Sequence, residues 1–304
     1  MDIAQILANS LIRASELSLL AIGLTMVFDI LKFANFAHGD YAILGAFLAW
    51  VCNQLLGLNL FLAVGVAALI TGLVGIGLEQ TVFRPLRSKG VKPFTLMIAS
   101  MGIALALRNV IRMIWSSGTR TYDLPVFRPM DILGAKVTPI QLSIVVVGLA
   151  SMFAFHLLLH KTKFGKALRA ISDNSELASA CAIDSERMIR FMWFLACAYG
   201  VIGGTMIAME HVLYPRLGFD ILIPVFCAAI LGGIGNPYGA MLGALTLALS
   251  ENIILTLDLS VLLNLGGIFD FDPIQVATGY KPAVSFIILI IMLLFRPTGI
   301  LGRK

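Results

Sequence analysis

Apolar runs separated by short polar breaks recur along almost the whole chain, near residues 8–31, 37–56, 60–80, 94–115, 138–160, 190–210, 221–235, 238–257 and 282–296. An α-helix needs about 20 apolar residues to cross the hydrocarbon core of a bilayer. Seven of the runs have that length. The pattern predicts an all-α polytopic membrane protein with about nine transmembrane helices, eight to ten being compatible with it. The runs at 221–235 and 282–296 are short, so a half-helix is expected at the first and a tilted or extended helix at the second.

Composition supports this reading. Of 304 residues, 59% are apolar and 13% charged, against roughly 25% charged in soluble domains, and the mean hydropathy is +0.94. So few charges cannot cover a globular surface. Spans and connections use up the chain, which excludes a separate soluble domain and predicts one transmembrane domain over 1–304. The net charge of +5 is what basic cytoplasmic loops give a membrane protein, so no nucleic-acid partner is implied. Cys52, Cys181, Cys197 and Cys227 form no CxxC pair, and all but Cys181 lie in apolar runs; they read as small hydrophobes. The N-terminus lacks the basic leader region and cleavage site of a signal peptide, so the first helix is expected to stay.

Lys and Arg set the expected orientation, because basic loops stay cytoplasmic. Arg84, Arg87, Lys89 and Lys92 crowd one loop, and Lys161, Lys163, Lys166, Arg169, Arg187 and Arg190 another. Both are placed inside. The loops at 116–137 and 258–281 balance their cations with Asp123, Asp131, Asp258, Asp270 and Asp272, and go outside. Arg296, Arg303 and Lys304 put the C-terminus in the cytoplasm, and nine spans then put the N-terminus outside. Arg108 and Arg112, near the outer end of the fourth span, need an interfacial position or a buried partner.

Catalytic signatures are absent: there is no HExxH, GxSxG or P-loop, so neither a catalytic residue nor a cofactor is expected, and the chain is not read as an enzyme. His156 and His160 share a helix face, but no third ligand lies nearby in sequence, and they read as interfacial histidines and not as a metal site.

Three polar interruptions carry more information. In DILKFANFAHGDYAILG, the cluster Asn35, His38, Gly39 and Asp40 separates two apolar runs with almost no room for a solvated loop. Its backbone must lie at the interface or line a wet cavity; a simple cytoplasmic turn with Asp40 at a helix N-terminus is the alternative. In ILGGIGNPYGAMLG, Gly232, Gly233, Gly235 and Pro237 break a helix, and a shift of 198 residues aligns Ile43–Ala46 with Met241–Ala244, as an internal duplication would. The third interruption, 161–190, is too long and too apolar for a solvated turn, with Ser172, Asp173 or Asn174 placed to cap a second short helix. It calls for a cytoplasmic partner, or for packing on the chain's own helix ends.

The motifs Asn35-Phe36-Ala37-His38-Gly39, Gly165-Lys166-Ala167-Leu168-Arg169-Ala170 with Ala178 and Ile183 behind it, Gly232-Gly233-Ile234-Gly235, and Arg296-Pro297-Thr298-Gly299-Ile300-Leu301-Gly302 resemble the permease subunit of branched-chain amino-acid ABC importers. The likeness spans residues 10–302. One departure is Ala182, where that family more usually has glycine. The resemblance implies a bacterial inner-membrane importer: two permeases, usually paralogues, sit on two cytoplasmic ATPases that bind the ATP, and a periplasmic binding protein delivers a small substrate. It implies that 165–183 is the coupling element, with Gly165, Arg169, Ala170, Asn174, Ala178 and Ile183 as contact or bend positions. Asn35, His38, Gly39, Asp40, Gly232, Gly233 and Gly235 are the candidates for the pathway. Branched-chain or other neutral amino acids are the expected cargo, with urea or short amides as the alternative. From another class, an ion-coupled secondary transporter or channel would use Asp40, Glu79, Glu210 or Glu251 as its coupling acid; a structural scaffold is a third possibility.

Overall fold

The computed structural model describes residues 3–125, 127–256, 279, 281–296 and 298–301. Most of the expected outer loop at 258–281, with Asp258, Asp270 and Asp272, lies outside the described residues, as do Pro297, Gly302, Arg303 and Lys304 of the tail.

The helices are α1 (Ile3–Leu31), α2 (His38–Gln54), α3 (Leu60–Leu78), α4 (Arg84–Ser88), α5 (Pro93–Trp115), α6 (Pro139–Lys161), α7 (Lys163–Asp173), α8 (Ser175–Ala180), α9 (Ser185–Glu210), α10 (Leu217–Gly232), α11 (Pro237–Thr256) and α12 (Lys281–Phe295). A π-helical turn, Glu79–Phe83, joins α3 to α4. Among the described residues, six stretches are long and apolar enough to cross a membrane: α1, α3 through α4, α5, α6, α9 and α11. The shorter apolar helices α10 and α12, with α2, correspond to the other three segments of the sequence pattern. The fold is therefore polytopic and all-α but for one addition. Within the 116–137 loop, β1 (Met130–Ile132) and β2 (Ala135–Val137) form a hairpin, turned by Leu133 and Gly134, both at positive φ.

Local chemistry fixes the helix starts. Thr138 and Gln141 form a reciprocal capping box on α6, the Asn59 side chain accepts from the Phe61 N–H on α3, and Asp184 accepts from the Arg187 N–H on α9. Each satisfies amide donors that a helix N-terminus leaves free. Burial then sorts the helices. The most apolar windows of α1 and α9 are 78% and 72% buried, whereas those of α3, α5 and α6 are 28%, 22% and 17% buried. Helices apolar all round with this contrast form a protein-lined centre and a lipid-facing wall.

The bundle has two chemically different ends. At one, Arg84 and Arg87 bind Glu186 at the start of α9 at 3.1 and 3.3 Å. There too the Ser172 hydroxyl donates to the Asp29 carbonyl near the end of α1 at 3.4 Å, and the Ile300 and Leu301 amides donate to the Leu231 and Gly232 carbonyls at the end of α10 at 2.8 and 2.9 Å. Both Lys/Arg-rich loops meet at this basic end. At the other, Gln5 and Lys136 exchange hydrogen bonds of 2.8 and 3.3 Å, Gln141 donates to Glu210 at 3.2 Å, and Arg120 and Leu213 pair main chain to main chain. The described chain starts at this second end and finishes at the basic one.

Neither α2 nor α10 begins at an end of the bundle. His38, the first residue of α2, bonds the Leu20 carbonyl through Nε2 at 2.9 Å. Leu20 lies 11 residues, ~16 Å at 1.5 Å per residue, from the end of α1. Residues 32–37 therefore climb from the basic end to mid-depth before α2 starts outward. Gly218, in the first turn of α10, packs backbone to backbone on Gly39, so residues 211–216 descend from the opposite end and α10 runs the other way. The sequence reading foresaw a half-helix at 221–235 and took α2 for a complete span. The structural counterpart of the Asn35–Asp40 break is thus the 211–218 segment, on the opposite side, and not the Ile230–Gly243 stretch.

Candidate functional site

The mid-depth junction is built from the N-termini of α2 and α10. Asn35 starts it: its Oδ1 accepts from the Ala37 N–H at 3.1 Å while the Phe36 N–H donates to the Ser100 hydroxyl of α5 at 3.0 Å. Those side-chain acceptors satisfy backbone that leaves helical geometry inside the membrane, which bilayer chemistry demands. Asp40 stands in the first turn of α2, where its charge suits the helix dipole, and Arg108 of α5 grips both its oxygens at 3.1 and 3.0 Å. A bidentate guanidinium–carboxylate pair is the strongest way to hold two charges away from water. Arg108, flagged by the sequence as needing a partner, and Asp40, flagged as a costly acid, answer each other.

Asn35, His38 and Asp40 are all buried, and Gly39 is occluded by Gly218. This state therefore places the four candidates in the wall behind the surface and not on it. The Asn35 side-chain amide nitrogen has no hydrogen-bond partner among the described residues.

Gly232, Gly233 and Gly235 stand elsewhere, at the basic end. Gly232 closes α10 against the backbone of Gly239, and a Cβ there would overlap it. Gly233 and Gly235 take φ of 108° and 89° in the turn to α11, a conformation that suits residues without a Cβ. The terminal segment that pairs with α10 has Gly299 against the Gly233 backbone, and the Asn236 side chain donates to the Leu301 carbonyl at 3.1 Å. Gly235 lies against Asp29 at the head of the first stretch, and the glycine turn borders a cavity of about 590 Å³ shared with Asp29, Lys32, His160, Arg169 and Ser172.

That cavity is bordered by α7, which with α8 makes a helical hairpin that fills most of the expected coupling element. Thr162 caps α7 through the Gly165 N–H at 3.1 Å, and a side chain at Gly165 would run into the Leu158 and Leu159 carbonyls at the end of α6. Glycine there lets α7 fold sharply back. Gly165, Leu168 and Ile171 face the bundle; Lys166, Arg169, Asn174 and Leu177 face out, Leu177 at 63% exposure. Asn174 caps α8 by accepting from the Glu176 and Leu177 N–H groups, both at 3.0 Å. Ala170 is half-buried between the two faces.

Ala178 and Ile183 lie at the turn that closes α8. The Ile183 N–H donates to the Ala178 carbonyl and the Ala182 N–H to the Ser179 carbonyl, each at 3.1 Å, which is the Schellman closure of a helix C-terminus. The residue between must be left-handed, and Ala182 has φ of 59°. An L-residue with a Cβ costs roughly 1–2 kcal/mol there. Ala182→Gly is therefore expected to stabilise the turn by about 1 kcal/mol, measurable as slower hydrogen exchange of the 182 and 183 amides.

The acids proposed for ion coupling all have partners. Besides Asp40, Glu79 pairs with Arg87, Glu210 accepts from Gln141, and Glu251 accepts from Ser285 of α12 and lies 3.8 Å from Arg13 of α1, which also binds Glu16 at 3.2 Å. His156 and His160 stack with ring centroids 4.8 Å apart, His156 bonding the Tyr238 hydroxyl at 3.0 Å. No group of three or more His, Cys, Asp or Glu able to hold a metal occurs among the described residues.

Sequence reasoning missed the stretch from Tyr214 to Asp220. Its signal was a polar insertion, Pro215-Arg216 and Asp220, before an apolar run, the same grammar as Asn35 to Asp40.

Comparison with known proteins bears on both regions. Residues 6–293 match the family described as branched-chain amino acid transport system / permease component. The high-affinity branched-chain amino acid transport system permease protein BraD of Pseudomonas aeruginosa is 31% identical over 98% of this chain and 95% of its own length. The probable branched-chain amino acid transport permease protein LivH of Methanocaldococcus jannaschii is 33% identical over 98% and 92%. PsaBC from Streptococcus pneumoniae, solved in complex with Fab, shares the fold with a TM-score of 0.51 at 15% identity over 95% of this chain and 91% of that one. With residues 6–293 matched, both breaks and the α7–α8 hairpin among them, the chain belongs to the branched-chain amino acid permease family.

Proposed function

We propose that this protein is the permease subunit of a binding-protein-dependent ABC importer for branched-chain or other neutral amino acids, working in the inner membrane of a bacterium. The observation that carries the reading is the likeness to branched-chain amino-acid permeases over nearly the full chain, joined to an α7–α8 hairpin that projects an exposed surface at the basic end. By the positive-inside rule the basic end is cytoplasmic, so the N-terminus is outside and the C-terminus inside. The hairpin surface around Arg169, Asn174 and Leu177 is the docking site for an ATPase partner, while Gly165, Ala178 and Ile183 set its angle. Two ATPases, a second permease and a periplasmic binding protein complete the assembly. Closure of the ATPase pair moves the hairpin, which is tied to α1 through Ser172 and Asp29 and so to the junction at His38. Such a lever works only if nucleotide favours one of two arrangements.

Uptake of labelled leucine and labelled urea at micromolar concentration, in cells with and without the gene, tests the reading. Loss of leucine uptake alone is expected, with the ATPases retained on purification in mild detergent. Loss of urea uptake alone transfers the assignment to amides, and purification as a lone homo-oligomer transfers it to a channel or secondary transporter.

A further inference from the structure

At the mid-depth junction one charged group faces out of the protein, where lipid would be expected. Arg216 and Asp220 form an ion pair at 3.3 Å with side chains 64% and 35% exposed. Phe219 between them is 42% exposed. The Arg108 and Arg216 guanidinium carbons lie 5.0 and 5.7 Å from the centroid of its ring, and the Tyr214 hydroxyl donates to Asp220 at 3.0 Å. Their depth is fixed by Gly218, which sits on Gly39 one residue from His38 and its bond to Leu20. That level is ~16 Å along α1 from the basic end and ~25 Å from the other, well inside a hydrocarbon core of about 30 Å.

A charge facing lipid at that depth is costly even on the lenient insertion scale, so such residues face water or protein. The side chains also differ from those of a packing surface. Arg108 is spent on Asp40, but the Arg216–Asp220 pair is half in the open, offering a cation and an anion beside an aromatic ring. An α-amino acid in its zwitterionic form carries the complementary pair and an apolar side chain. It exchanges one exposed ion pair for two, with the ring left for its side chain; urea and amides have no charges with which to do this.

We propose that Arg216, Asp220 and Phe219 form an intramembrane station on the translocation pathway that takes the substrate as a zwitterion, its carboxylate on Arg216 and its ammonium on Asp220. The inference rests on the amino-acid importer reading above.

The test uses the complete transporter in liposomes with its binding protein and ATP. Arg216→Gln and Asp220→Asn, each assembled with normal stoichiometry, are expected to lower leucine uptake at least ten-fold. Exchanging the charges, Arg216→Asp with Asp220→Arg, is expected to restore part of it, since one charge of each sign remains. In parallel, Asp220→Cys in a Cys181→Ser background is expected to react with a charged thiol reagent. Uptake within twofold of the parent overturns the proposal. A thiol at 220 that does not react, or variants that no longer assemble, overturn it too and assign the pair to a subunit interface. A parent complex that carries no leucine overturns the importer reading itself, and this inference with it.

Discussion

Arg108→Ala is expected to cost about 3–5 kcal/mol of folding stability, because it leaves Asp40 buried without the guanidinium that holds both its oxygens. The loss is not that of a surface ion pair, which is worth under about 1 kcal/mol. Asp40 is fully buried, so the unpaired acid must take up a proton or drag the junction apart. Thermal unfolding in mild detergent should show a large fall in midpoint, with uptake lost in parallel. Adding Asp40→Asn to Arg108→Ala removes the stranded charge and is expected to recover about half of the loss. If the double variant is no better than the single one, Asp40 is not what Arg108 protects, and the Phe219 ring contact is the stronger bond. If Arg108→Ala alone is neutral, the pair does not hold the junction at all.

How legible this was in the sequence varied with the physics at each point. The apolar runs declared nearly every long helix, because a lipid-facing helix needs apolar residues along its whole length. The boundaries of α3, α5, α6 and α11 accordingly lie within a few residues of expectation. The start of α2 was illegible for the converse reason. Residues 32–37 climb from the basic end to mid-depth as irregular chain that closes in a turn at Phe36–Ala37, and nothing local separates that from a tight turn at the surface. The Asn35 bond is local, but the Ser100 bonds that help make it tolerable join residues 64 and 66 positions apart. The expected duplication aligns Ile43–Ala46 with Met241–Ala244, whereas the residues that meet in the structure are Gly39 and Gly218, brought together by backbone approach and not by side-chain identity. For the hairpin, the sequence found both its place and its unusual Ala182. It did not separate Arg169 and Asn174, which face out, from Gly165 and Ala178, which are buried, because a single helix's sequence does not say which side the bundle occupies.

Gly39 gives the sharpest expectation of the second kind, in which one added carbon is decisive. A Cβ at 39 would overlap the Gly218 carbonyl, and one at 218 would come within 2.7 Å of the Gly39 carbonyl. Both obstacles are backbone, so no rotamer change relieves them, and α2 must separate from α10. Within a bilayer, close packing at small residues is a main source of helix association, since lipid is as apolar as the side chains. Ordinary overpacking costs about 1–3 kcal/mol; here Gly39→Val is expected to exceed that and abolish both the folded bundle and uptake, with Gly218→Val alike. Gly65 in α3 is the control, because a Cβ there meets nothing within 4 Å. Gly65→Ala should be neutral, or stabilising by up to about 1 kcal/mol, through helix propensity alone. Expression, melting midpoint and leucine uptake of the three variants decide the matter. A Gly39→Val protein that melts and transports like the Gly65→Ala control would mean that the two half-helices do not meet at these glycines, and the mid-depth origin of α10 would go with them.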